Sequence, residues 1–149
     1  MENGLLFVHI LCAAIWLGGA TTSAILLISA KSMEPAHAKT IIQNISNLAK
    51  FVFAPMAVLV FITGTGLISV VEGLSFSDPW ISGAFTGVFA SIILGVVFHK
   101  RAGRKALAAA DSGNVKELTN AIKSWLIIAY IDLAIITGVL ALMIFKPGA

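Results

Sequence analysis

Four long apolar runs constrain this chain more than any other feature: Leu5 to Ala30, Phe51 to Val71, Trp80 to Phe98 and Trp125 to Phe145. A helix that crosses a hydrocarbon core needs about 20 mostly apolar residues, each adding about 1.5 Å of rise. Each run meets that length. The runs are continuous and lack the alternation and regular turns of membrane strands, which excludes a barrel. The sequence therefore predicts an all-α integral membrane four-helix bundle, a single four-span domain across residues 1–149. Charge is scarce in the same sense: 11% of residues are charged, where a soluble domain carries about 25%. The lipid bilayer is the expected partner. The first run is read as a retained span, because Glu2 and Asn3 supply no basic leader and the apolar stretch is too long for a signal peptide.

Charge then orients the bundle. The first connection carries Lys31, Lys39 and Lys50 against Glu34, and the third carries Lys100, Arg101, Arg104, Lys105, Lys116 and Lys123 against Asp111 and Glu117. The second connection, Glu72 to Asp78, is short and acidic. Short loops rich in Lys and Arg stay in the cytoplasm, so the expected topology has basic loops inside and both termini outside, in a prokaryotic plasma membrane. The isoelectric point of 9.3 follows from this topology and from contact with anionic headgroups, and it does not call for nucleic acid. In the first connection Ile41, Ile42, Ile45 and Leu48 recur at helical spacing after Pro35, which predicts a short amphipathic helix. The third span is expected to continue as a helix until Asp111-Ser112-Gly113-Asn114 breaks it.

The spans fall into two candidate tandem hairpins. Ile62-Thr63-Gly64 matches Ile136-Thr137-Gly138, and Trp16-Leu17-Gly18-Gly19 is matched to Phe85-Thr86-Gly87-Val88, as in parallel-repeat membrane proteins. Small residues repeat at every fourth position: Gly83, Gly87, Ser91 and Gly95 in the third span, and Ala14, Gly18 and Thr22 in the first. Such strips let helix backbones approach closely. They also leave room for a flat cofactor or for a partner helix, in a homo-oligomer or against other membrane subunits.

Polar residues within the spans carry whatever chemistry there is. An ionised Asp132 would cost about 2.5–3.5 kcal/mol in the middle of a span, so it must be protonated, cation-bound or hydrogen-bonded. Counted inward from the outer ends, Asp132 and Trp16 lie level, and the Trp16 indole N–H is the expected partner. The pair is read either as a polar lock between helices or as a proton relay. His9, Cys12 one turn further in, and Met143 at similar depth are the candidate metal ligands. His, Cys and Met suit Cu(I), and His with Met is an axial pair for haem. His99 and His37 read as ordinary interfacial and loop residues. The single Cys12 excludes an intramolecular disulfide, and the absence of a phosphate-binding loop, dinucleotide fingerprint or Ser-His-Asp set argues against hydrolase or nucleotide chemistry.

From His9 to Gly19 the chain reads His-x-x-x-Ala-Ala-x-Trp-x-Gly-Gly. This resembles the opening helix of the copper-resistance CopD superfamily, which includes the HemJ-type protoporphyrinogen oxidases. Asp78-Pro79-Trp80-Ile81, the Thr-Gly steps of spans two and four and the overall length are most similar to an uncharacterised family of small four-span membrane proteins associated with that group. The resemblance implies a four-helix membrane bundle and places His9 where HemJ-type proteins carry a haem-binding histidine. Those enzymes also need a later basic residue, and no span here holds a Lys or Arg. Copper uptake of the CopD type carries over through His9 alone. The expected function is binding of haem b or copper near the outer face, in electron transfer or metal handling. The alternative is a non-catalytic accessory subunit of a larger membrane complex.

Overall fold

The computed structural model describes residues 2–148. Their apolar runs form four long rods: α1 (Glu2–Ala30), α2 (Pro35–Val70), α3 (Pro79–Asp111) and α4 (Val115–Phe145), each long and apolar enough to cross a membrane. No strand occurs among the described residues. The starts are set by local chemistry. Pro35 and Pro79 occupy first-turn positions, where a missing N–H costs nothing. Asn114 caps α4 by accepting from the Glu117 N–H at 3.1 Å. The turn between α3 and α4 falls at the predicted breaker, where Gly113 takes φ +68°, a left-handed conformation that favours glycine.

The helices run alternately up and down, and each packs on its chain neighbours, with α1 and α4 closing the ring. Two hairpins, α1–α2 and α3–α4, are therefore present, but their matched motifs do not occupy matching places. Thr63 and Gly64 of α2 lie opposite His9, well away from Gly18. In the second hairpin Gly87 lies opposite Val139, next to Gly138. The resemblance between the hairpins is one of small-residue composition and not of register. Three of the four strip residues on α3 mate with its own neighbour: a Cβ at Gly83 would sit 3.1 Å from Leu142, one at Gly87 would run into Val139, and Ser91 bonds Asp132, whereas Gly95 is exposed with nothing within 4 Å of its Cβ position. The strip on α1 does not, since Ala14, Gly18 and Thr22 face outward.

The connections are more ordered than loops. The amphipathic segment of the first connection is the continuous start of α2, joined to the span through a π-helical turn at Ala49–Phe53. The third span runs on through a second π-helical turn at Leu94–His99. α4 begins ten residues before Trp125. These extensions enclose their own apolar core of Ile42, Ile45, Ala106, Ala109, Leu118, Ile122 and Trp125, reached from α1 by Leu27 and Ala30. A second core, within the spans, is built on Cys12, Trp16, Ala57, Val60, Val88 and Ile136. Nine of the ten Lys and Arg residues lie at the end that carries the extensions, called here the basic end. The other end, called the terminal end, holds the first and last described residues, Glu2 and Gly148.

Candidate functional site

Two polar clusters stand in the apolar bundle, one towards each end. In the terminal half, α1 and α2 approach closely because α2 offers Gly64 and Gly66 to the His9 and Leu5 side chains. His9 Nδ1 lies 2.9 Å from Thr63 Oγ1, and the Thr63 hydroxyl donates to the Leu59 carbonyl at 2.6 Å. A hydroxyl has one proton to give. With that proton spent on Leu59, Thr63 accepts from His9, which fixes the imidazole as the Nδ1–H tautomer with a bare lone pair on Nε2. A Cβ at Gly64 would stand 3.2 Å from His9 Cε1, so the glycine gives the ring its place.

Cys12 follows one turn along α1, buried and free, in the spanning core. The methionine packed against that core is Met56 of α2; Met143 is half-buried near the end of α4 and does not belong to it. Among the described residues no three His, Cys, Asp or Glu side chains converge as a metal cluster would require. Near Gly64, the α2–α3 seam carries a groove of about 490 Å³ lined by Phe61, Phe85, Thr86, Phe89, Ala90 and Ile93. Phe85, in edge contact with Phe61, also reaches to 3.9 Å of the Cβ position at Gly64.

Toward the basic end, Asp132 is buried, and its partners are not the expected one. Ser91 donates to Oδ1, and His99 Nε2 stands 3.5 Å from Oδ2. The Trp125 indole N–H donates to His99 Nδ1 at 3.0 Å. Trp16 is instead a packing residue of the spanning core. Equal depth put Trp16 level with Asp132, but contact depends on which helix comes closest. The glycine strip of α3 brings that helix against α4, near enough for the short Ser91 side chain to reach.

His99, read from sequence as interfacial, is drawn inward by the π turn. Ser91 and His99 are eight residues apart, which in a regular α-helix would set them about 80° apart around the axis. The wide turn absorbs the extra residue, so both face α4, where Trp125 and Asp132 lie seven residues apart on one side. Gly103, one turn beyond His99, clears space for the indole: a Cβ there would be 3.1 Å from Trp125 Cη2. Those spacings, together with a Trp at the start of the fourth apolar run, were the available signal. His37 lies in the exposed start of α2 and joins neither cluster.

Residues 4–147 match the family described as predicted integral membrane protein (DUF2269). The chain belongs to this family. The match spans all four helices and both polar clusters, and its description assigns a membrane location without an activity. No curated protein and no solved structure matches the chain.

Proposed function

We propose that this family member holds a redox centre, haem b or copper, in the terminal half of the bundle through His9, and serves electron transfer or metal handling. The observation that carries the reading is the Thr63 contact. A metal-binding histidine is ordinarily oriented by a hydrogen bond from its other ring nitrogen, which also fixes the tautomer; Thr63 performs that task and leaves Nε2 free. The donor set favours haem. Haem iron takes four nitrogens from the macrocycle and needs the protein only for axial ligands, whereas copper would require His9, Cys12 and Met143 to gather around one ion. When bound, haem would supply one-electron chemistry. The chain's own part is to hold the imidazole through Thr63, make room for it at Gly64 and provide the aromatic groove near that glycine. The excess of Lys and Arg supports a cytoplasmic basic end in a prokaryotic plasma membrane, so the centre would face outward.

Protein purified from its native membrane should show a Soret band or stoichiometric copper. The signal should vanish in His9→Ala and weaken in Thr63→Val, a variant that keeps the shape of the side chain. Loss of an orienting partner of this kind costs about 10–100-fold in metal affinity. Colourless, metal-free wild-type protein would overturn the reading. The uncovered strip of Ala14, Gly18 and Thr22 on α1 favours a second reading, that of an accessory subunit whose α1 mates with a partner helix. Colourless protein that co-purifies with other membrane subunits, and loses them in Gly18→Leu, would establish that reading instead.

A further inference from the structure

The Ser91–Asp132–His99–Trp125 cluster is independent of His9, and its proton inventory can be worked out from donor chemistry. An indole nitrogen only donates. His99 Nδ1, which receives the Trp125 N–H at 3.0 Å, must therefore present a lone pair, and the ring proton is on Nε2. That N–H is buried and hydrogen-bonded to nothing, 3.5 Å from Asp132 Oδ2. An imidazolium carries N–H at both nitrogens, so His99 cannot take a second proton until Trp125 leaves. Asp132 meets no competing charge. Between Cys12 and Lys31 on α1, and between Lys50 and Glu72 on α2, no side chain titrates; Tyr130 on α4 points outward, and α3 contributes only His99 between Asp78 and Lys100. Ser23 of α1 adds a buried hydroxyl that, like the His99 Nε2–H, has no partner. By residue count from the basic end it lies at about the depth of Asp132, so the interior there holds unused polar capacity.

We propose that Asp132 is a proton-binding site loaded from the basic end through His99, with Trp125 as the gate. When the indole swings off Nδ1, a hydronium at the basic end gives its proton to that nitrogen. The Nε2 proton passes to Asp132 Oδ2. The imidazole is left neutral with its proton on Nδ1, Asp132 is a carboxylic acid, and one proton has been gained by one carboxylate. In the loaded state Nδ1–H faces the Trp125 site, so the indole cannot return. Discharge runs the same steps backwards and lets it back. Proton occupancy of Asp132 is thereby tied to the place of Trp125, and through it to the apolar core of the basic-end extensions, where that side chain packs against Gly103.

The test uses the full chain in lipid nanodiscs. Its infrared pH-difference spectrum should contain a protonated carboxylic acid band that Asp132→Asn removes. On rapid transfer to deuterated buffer, the rate at which that band shifts reports access to the site. Loss of a positioned proton carrier in His99→Phe should slow exchange about a hundredfold. Trp125→Phe keeps an aromatic ring against Gly103 but removes the gating hydrogen bond, and should speed exchange about tenfold. A carboxylic acid band that survives in Asp132→Asn, or no such band in the wild type, would overturn the proposal. So would exchange at the wild-type rate in both His99→Phe and Trp125→Phe, each first shown by circular dichroism to be folded.

Discussion

Gly18 and Gly87 are both small residues in apolar helices, yet substitution should separate them. A Cβ at Gly87 runs into Val139, whereas one at Gly18 meets nothing within 4 Å. Gly87→Ala is expected to destabilise the bundle by about 1–3 kcal/mol through overpacking. Gly18→Ala should leave stability unchanged or raise it by up to about 1 kcal/mol, since alanine is the better helix former. Unfolding in mixed micelles measures both, and equal losses would mean that α3 and α4 are not in close contact. Asp132 offers a second comparison. Ser91→Ala removes one donor, and interhelical hydrogen bonds in membranes average about 0.6 kcal/mol. Asp132→Leu leaves the buried Ser91 hydroxyl without its partner, at about 1–3 kcal/mol for such a group, so its loss should be the larger of the two. If Asp132 acts independently of the centre at His9, metal or haem content per folded molecule stays constant in Asp132→Leu. That Asp132 matters was legible from sequence, because a carboxylate in lipid must be satisfied. Its partners were not, because depth along a helix says nothing about which neighbour comes close enough for Ser91 to reach.

The π turn of α3 carries the least intuitive expectation for a single element. A π turn is an α-helix that has accommodated one extra residue. Deleting lipid-exposed Val96 from Leu94–His99 should therefore yield a regular helix in which Ser91 and the shifted histidine are seven apart, still on the face toward α4. The variant is expected to fold and keep the Trp125 hydrogen bond, read from the indole resonance. Inserting an alanine at the same place should instead turn the histidine by about 100° around the axis and abolish that signal. Loss in the deletion variant and retention in the insertion variant would refute the register argument. The same turn explains why His99 read as interfacial: hydropathy and charge locate where a span ends, beside Lys100 and Arg101, but not a one-residue change in pitch before that end. Amphipathic spacing did reveal Pro35–Leu48 as a helix. Its fusion with the following span escaped because nothing in Ala49–Phe53 marks either a break or a continuation, and the structure carries the chain through as a wide turn.

At the scale of the whole molecule, the distribution of charge and the packing of the bundle make separable claims. Nine of ten Lys and Arg residues lie at the end where α2, α3 and α4 extend beyond their apolar runs. Translocating that end would carry those charges, and the folded core around Ile42 and Trp125, across the membrane, which is the physical content of the positive-inside rule. In a Cys12→Ser background, cysteine placed at exposed Ser112 is expected to resist an impermeant thiol reagent in intact cells and to react after lysis. Cysteine at exposed Glu72, on the acidic turn between α2 and α3, should react in both. The reverse pattern would turn the molecule over without altering any contact inside it. His9 would still lie beside Thr63 and His99 beside Asp132, but the proposed gate at Trp125 would open to the outside and the proposed redox site would face the cytoplasm. Because orientation and internal geometry fail independently, the labelling result assigns a side of the membrane to each cluster, and the spectroscopic results decide what each cluster does.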